Sequence, residues 1–299
     1  MIATPGHPRA EPDMLRPMRF GGQRRYALAL EAPAGALYDD VVTQATESNA
    51  RAGREGAALA YGFVDAGLAD RAFDALGWTS LGAAPALVRP LRLSSAAARW
   101  MLPPAARALL AKVPLVAPFG RARGAGVREI SVKEPRITRL WDRFSIDIGV
   151  AVERTASYID RRVFDRQGAG YRVFILEDGD RYAIRAMCVF TVRQEGRDRH
   201  GYVMELLHDR SVTGMRAASH LLGLALREML DADADAAFAW SLPHSGSFPI
   251  YARHAFLSRP QRLGARELRF GVRAFDPELH ELVTQRERWY VSYLDLDPP

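Results

Sequence analysis

Cysteine and lysine are almost missing from this chain. One cysteine, Cys188, in 299 residues excludes an internal disulfide framework. It lies in the apolar run AIRAMCVFTV, which predicts a buried and inert thiol. Long apolar runs are also missing, and nothing approaches the ~18–20 residues of a membrane span. The first 25 residues carry no apolar stretch between their arginines, so no signal peptide is expected and a cytoplasmic location is. Only Lys112 and Lys133 are lysines among 41 basic residues, an arginine excess of the kind codon bias produces. The net charge of +6 and the pI near 9.7 therefore say little about partners. The arginines are scattered apart from Arg24–Arg25, Arg121–Arg123 and Arg161–Arg162. No aromatic residues alternate with them as a base-stacking surface would require, so no specific nucleic-acid partner is expected. The seven histidines show no metal-ligand spacing.

Alternating strand and helix patterns fill most of the chain, and 48% of its residues are hydrophobic, enough for a sizeable core. Residues 1–25, rich in Pro, Gly and Arg, read as a poorly ordered lead-in. A first unit over 26–92 follows, with strands at YALAL (26–30), AALAYGF (57–63) and ALVRPL (86–91). Helices at 37–52 and 68–76 lie between them, the second closed by Gly77. Residues 93–136, with Pro103, Pro104 and a Pro/Gly/Arg-dense stretch, read as a linker. The second unit, 137–299, predicts a helix over 152–163 and a hairpin of 171–177 with 182–192 turning at Asp178–Gly179. Further strands are expected at 202–207, 236–242 and 267–275, and helices at 215–230 and 248–255. The fold class is α/β (α+β): two mixed β-sheets flanked by helices, the first copy incomplete because it begins almost directly at YALAL.

Three landmarks recur at similar separations. Gly35 and Arg216 are 181 apart, Trp78 and Phe256 are 178 apart, and Val88 and Val272 are 184 apart, which argues for duplication of one unit. The order of elements, with Ala75-Leu76-Gly77-Trp78 and Ile250-Tyr251-Ala252-Arg253-His254-Ala255-Phe256, resembles the GNAT superfamily of N-acetyltransferases. In particular it looks like the tandem bacterial members of that superfamily. Gly62-Phe63-Val64-Asp65 and Leu87-Val88-Arg89-Pro90-Leu91 add to the resemblance, as does the helix pattern Arg154, Tyr158, Ile159, Arg162.

The resemblance implies an acyl-CoA-dependent N-acyltransferase. It would use acetyl-CoA or another acyl-CoA as co-substrate and a small-molecule or sugar amine as acceptor. Such an enzyme cradles the pyrophosphate on backbone N–H groups at the mouth of its long helix. The first-half stretch Ala32–Leu37 keeps only Gly35 of the family's glycine pattern. In the second half the cradle is Thr213-Gly214-Met215-Arg216-Ala217-Ala218, with Arg216 where the central glycine belongs. Leu206 and Leu207, on the strand before it, would face the cofactor arm. The resemblance also implies Glu205 as base and Tyr251 as acid, and Phe73, standing where Tyr251 stands in the second half, has no proton to give. His208 could relay a proton. Asp295 and Asp297 fit a W…D-x-D ending that is functional in the family or else a solvated terminus. Because both cradles depart from the pattern, two other readings stay open: a non-catalytic binding or scaffold protein, and an aminoacyl-tRNA-dependent transferase.

Overall fold

The computed structural model describes residues 15–20, 23–31, 37–92, 126–166, 168–179, 183–196, 198–258 and 267–296. The chain opens with an antiparallel hairpin, β1 (Leu15–Phe20) and β2 (Gln23–Glu31), registered from Leu15 opposite Leu28 to Phe20 opposite Gln23. Over residues 15–20 and 23–25 this corrects the expectation of a poorly ordered lead-in, and it corrects that of a first unit without a leading strand; residues 1–14 lie outside the described residues. The LRPMRF segment contributes Met18 and Phe20 to the core; Arg16 shares their face and reaches Asp295 O at 2.7 Å, while Arg19 lies on the other side.

Helix α1 (Tyr38–Arg54) buries Val41, Ala45, Asn49 and Ala52, spaced as one face of a helix. Its acidic residues lie in the first turn and its arginines in the last, as the helix dipole favours. Then come β3 (Leu59–Asp65), α2 (Ala66–Leu76), β4 (Thr79–Ala83) and β5 (Ala86–Pro90). Asp65 caps α2 by accepting from Gly67 N, and Gly77 ends it at φ 62°, a left-handed conformation that a glycine adopts without strain. The second half supplies β6 (Val127–Ile130), α3 (Arg136–Phe144) and β7 (Val150–Val152). A helix, α4, runs from Ala156 to Ile159 and continues as a π turn through Asp160–Phe164. The helix expected over 152–163 therefore starts later, after a strand and the Thr155 cap on Tyr158 N. The long hairpin follows as β8 (Arg172–Asp178) and β9 (Ala183–Glu195), then β10 (Asp198–His208), α5 (Val212–Asp231), β11 (Ala236–Trp240), α6 (Phe248–Arg253), β12 (Leu257–Ser258) and β13 (Leu268–Ala274). A tail of short turns, including α7 (His280–Thr284), completes the described chain.

These strands make two mixed sheets, ordered β4-β13-β3-β2-β1-β7 and β12-β5-β11-β10-β9-β8-β6. The two orders correspond along their first five positions. In each, a parallel pair sits centrally, β2 with β3 and β10 with β11. The sheets do not divide where the two halves divide. Strand β5 of the first half pairs with β11 of the second, and β13 of the second half pairs with β3 of the first. Each half thus completes the other's sheet.

The layers follow from this exchange. Helices α1 and α2 cover the outer face of the first sheet through Leu28, Ala60, Phe73, Leu76 and Trp78. Helix α5, apolar on most of its surface, covers the outer face of the second through Leu221, Leu222, Ala225 and Met229. The inner faces enclose the largest core, and the C-terminal segment 289–296 runs within it, burying Trp289, Tyr290, Val291, Tyr293 and Leu294. Trp240 stacks on Tyr293 with ring centroids 4.7 Å apart and meets Phe63 of the first sheet at 4.7 Å. A tail that reads as aromatic and acidic is therefore core material.

Candidate active site

Strand β10 starts as a regular partner of β11. The pairing runs from His200 opposite Ala236 to Val203 opposite Ala239 and stops there, although β10 continues to His208. At that point β10 carries an irregularity against β9: Val203 faces Phe190 and Glu205 faces Val189, with Met204 as the extra residue. Such a bulge bends and twists the strand that carries it, and here β10 leaves β11. The two parallel strands part there, and β10 runs on toward the mouth of α5. The 245–247 loop and α6 lie on the β11 side. Ser247 Oγ donates to Leu206 O at 2.9 Å, and His208 Nε2 lies 3.2 Å from Gly246 O.

Glu205 sits at the bulge and is fully buried. Its Oε2 accepts from Arg154 Nε at 2.7 Å and from Ser292 Oγ at 2.8 Å; its Oε1 accepts from Leu206 N at 3.0 Å and from the Tyr290 hydroxyl. Arg154, also fully buried, reaches Asp295 Oδ2 at 2.7 Å, Ser292 Oγ at 3.1 Å and Val152 O at 2.9 Å. Burial opposes the charge on Arg154, but Asp295, Tyr158 and Glu205 outweigh it and hold the guanidinium firmly protonated. Burial, and after it the Glu205 carboxylate, holds the Tyr290 hydroxyl protonated. A buried pair of this kind is costly to desolvate and persists only when its remaining hydrogen-bonding capacity is met, as it is at Glu205. Sequence reasoning singled out Arg154, Glu205 and Asp295 separately. It missed their union, and it missed Tyr290 and Ser292 altogether. The structure joins them because β7, β10 and the tail meet beneath the bulge.

Tyr251 lies on α6, buried under α5, with its ring edge-on to Phe256 at 5.2 Å. Burial first, then Cys188 and Glu205, push its hydroxyl well above the ordinary phenol range. The same burial pushes the Cys188 thiol up, which agrees with the inert thiol read from the sequence. Leu206 and Leu207 lie on the parted segment of β10 and are buried on opposite sides, Leu206 toward α5 and Leu207 toward the inner core.

The mouth of α5 is built differently from an open cradle. Ser211 is its N-cap and accepts from Gly214 N at 2.9 Å. Asp209 lies over the same turn: its Oδ1 accepts from Ser211 N at 3.1 Å and from Ser211 Oγ. Arg185 Nη1 reaches its Oδ2 at 2.7 Å. A methyl group added at Gly214 would overlap both the carboxylate and the carbonyl of Asp209, which is why a glycine stands there. Thr213 and Arg216 are exposed, Met215 is half-buried, and Ala217 and Ala218 pack inward. The Asp209–Ser211 cap was legible as a helix-start signal, its serine four residues before the expected start at Met215. Gly35 and Asp297 lie outside the described residues, as does most of the expected linker, 93–125. Among the described residues no group of His, Cys, Asp or Glu could hold a metal, and no helix is long and apolar enough to cross a membrane.

No family model matches the chain, and no curated protein matches it. Solved structures do. N-myristoyltransferase of Saccharomyces cerevisiae with bound myristoyl-CoA superposes with a TM-score of 0.57 at 13% identity, over 86% of this chain and 64% of that one. A GCN5-related N-acetyltransferase from Anabaena variabilis gives 0.51 at 12% identity, over 87% and 58%. A probable N-acyltransferase from Enterococcus faecalis gives 0.52 at 9%, over 88% and 57%. This is the GNAT fold. The chain spans less than two thirds of the length of each of these proteins.

Beyond Val203 the parted segment of β10 keeps Leu206 buried toward α5. The α5 mouth does not fit a pyrophosphate, because Asp209 already lies on the turn that would receive it.

Proposed function

We propose that this protein is an N-acyltransferase that takes its acyl group from a thioester, an acyl-CoA or its pantetheine arm, seated between β10 and β11. The observation that carries this is the parting of those strands at the Met204 bulge, beside a fold shared with proteins named as acyltransferases. The acceptor is an amine. Its nitrogen attacks the thioester carbon, the C–S bond breaks, the departing thiolate takes a proton from the Tyr251 hydroxyl, which burial keeps protonated, and the proton shed by the nitrogen returns to the Tyr251 oxygen, leaving amide and thiol. Glu205 serves as an anchor rather than a base, since both its oxygens are engaged by Arg154, Ser292, Tyr290 and its own strand.

The test is calorimetric titration with acetyl-CoA and with S-acetylpantetheine, followed by thiol release in the presence of a panel of primary amines. Binding is expected in the micromolar range (a Kd of 1 μM is about −8 kcal/mol). Tyr251→Phe is expected to lower kcat by about 10²-fold, the lower end of general acid catalysis. No heat from either thioester at millimolar concentration overturns the reading and leaves a non-catalytic binding module.

A further inference from the structure

We propose that Asp209 selects the acyl donor: its carboxylate occupies the mouth of α5 as a built-in anion, so that thioesters placing no phosphate there bind at least as well as CoA thioesters. The inference rests on the transferase reading and specifies its donor class.

The first turn of a 20-residue helix presents unpaired N–H groups and a partial positive charge, and an anion near it is stabilised. In this chain the anion is internal. Asp209 is 3% exposed and sits within hydrogen-bonding distance of Ser211 N, while Ser211 Oγ takes Gly214 N. Ser211 Oγ also lies 2.8 Å from Thr213 Oγ1, so the hydroxyls of the turn are turned toward one another. The carboxylate is not a passing neighbour. Arg185 holds its other oxygen and is itself shared with Asp178 at 2.5 Å. Burial works against ionisation of Asp209, but Ser211 and Arg185 overcome it and hold the carboxyl below its usual range. The backbone is fitted to this arrangement too, since only a glycine at 214 leaves room for Asp209.

An incoming pyrophosphate meets a like charge in a partly desolvated place, where repulsion is much stronger than in water. It also finds Ser211 N, Gly214 N and Met215 N already engaged. The pantetheine arm runs along β10 and does not meet Asp209. The two ends of a CoA thioester are therefore treated oppositely, with the arm accommodated and the phosphate end opposed.

The experiment titrates acetyl-CoA and S-acetylpantetheine into the wild-type protein and into Asp209→Asn. Asparagine keeps an acceptor for Ser211 N and removes the charge. Wild type is expected to bind S-acetylpantetheine as tightly as acetyl-CoA or more tightly. Asp209→Asn is expected to tighten acetyl-CoA by roughly tenfold and to leave S-acetylpantetheine unchanged. Arg185→Gln provides a second variant with the opposite sign. By removing the cation that balances Asp209, it is expected to weaken acetyl-CoA several-fold while sparing S-acetylpantetheine. Wild-type preference for acetyl-CoA, with both variants unchanged, overturns the inference and leaves the transferase reading standing. If neither thioester binds any of the three proteins, both fall.

Discussion

The two parallel strand pairs at the centres of the two sheets occupy the same position in the strand order and end differently. In the first sheet β2 and β3 stay in register from Ala27 opposite Leu59 to Glu31 opposite Phe63, the last residue of β2. Gly62 lets the strands come close enough that a side chain there would press on the Leu30 backbone. In the second sheet β10 outruns its pairing with β11 by five residues, and the Met204 bulge turns it away. What lies beneath also differs. Under β3 the first sheet presents Phe63, stacked on Phe270 at 4.9 Å, and Tyr61 against Trp289. Under the bulge of β10 lies the Arg154–Glu205–Asp295 network. A closed pair over an aromatic layer is a wall. A parted pair over an ionic anchor holds the strand that bends away in its bent form. Under the proposed function, chemistry belongs to the second sheet and support to the first.

The comparison breaks most severely if the anchor is removed. Arg154→Ala leaves the Glu205 and Asp295 carboxylates buried beside each other without their shared cation, since Arg154 is the partner of both. Breaking a buried ion pair costs about 3–5 kcal/mol, a large share of the ~5–15 kcal/mol available to a folded protein. Urea unfolding is expected to show a midpoint lowered to match, with the slope unchanged. Methionine at 154 restores apolar contact without charge and is expected to recover little, because the carboxylates remain. A loss below about 1 kcal/mol for Arg154→Ala would mean that the bent strand does not depend on the network.

One substitution placed in each sheet sharpens the contrast. Gly62 in β3 and Gly201 in β10 both become alanine. A Cβ at Gly62 would lie 2.5 Å from Leu30 O, a backbone atom inside a paired strand that cannot move without opening the β2–β3 ladder. A Cβ at Gly201 would lie 2.5 Å from Met229 Sδ, 2.8 Å from its Cγ and 3.2 Å from its Cβ, atoms of one unbranched side chain on α5. Overpacking costs about 1–3 kcal/mol where neighbours cannot yield, and replacing glycine returns roughly 0.4–1 kcal/mol through the unfolded chain. Gly62→Ala is therefore expected to lose about 1–3 kcal/mol and Gly201→Ala to lose less, both read from urea midpoints. Equal losses would contradict the picture of a rigid first pair and an adaptable second.

Much of this was legible in the sequence for a definite reason. Periodicity of apolar residues is local, so α1, α2, α5 and the strands at 57–63, 171–192, 202–207 and 236–240 could be found from it, and Gly77 marked a helix end. The hairpin strand β1 escaped because three of its six residues are arginine or proline, and its burial is decided by neighbours far along the chain. The exchange of β5 and β13 between sheets has no local signature, since each strand reads alike in either sheet. The anchor escaped for the same reason: Arg154, Glu205 and Asp295 are separated by 51 and 90 positions, and nothing in their own neighbourhoods announces the pairing. Asp209 was the missed residue with a readable signal, a carboxylate two positions before a serine N-cap.

The smallest effect concerns the parting itself. In the first pair the strands are bonded to each other to the end of β2, and no bridging side chain is needed. In the second, Ser247 Oγ crosses from the α6 side to Leu206 O, and that bond spans the opening. Ser247 is 1% exposed. Its replacement by alanine removes one buried hydrogen bond and leaves the Leu206 carbonyl without that donor. The loss is expected to be about 1 kcal/mol, seen as a small fall in the urea midpoint. The same substitution frees a backbone acceptor on the strand segment proposed to lie along the thioester arm, whose amides are donors. S-acetylpantetheine is therefore expected to bind the Ser247→Ala protein more tightly than wild type, by a fewfold, because the ligand's amide takes over the bond that Ser247 made. Lower stability with higher affinity is a pairing that general loosening of the fold does not produce. Lower stability with weaker binding would place the arm elsewhere and make the parted strands a structural feature alone.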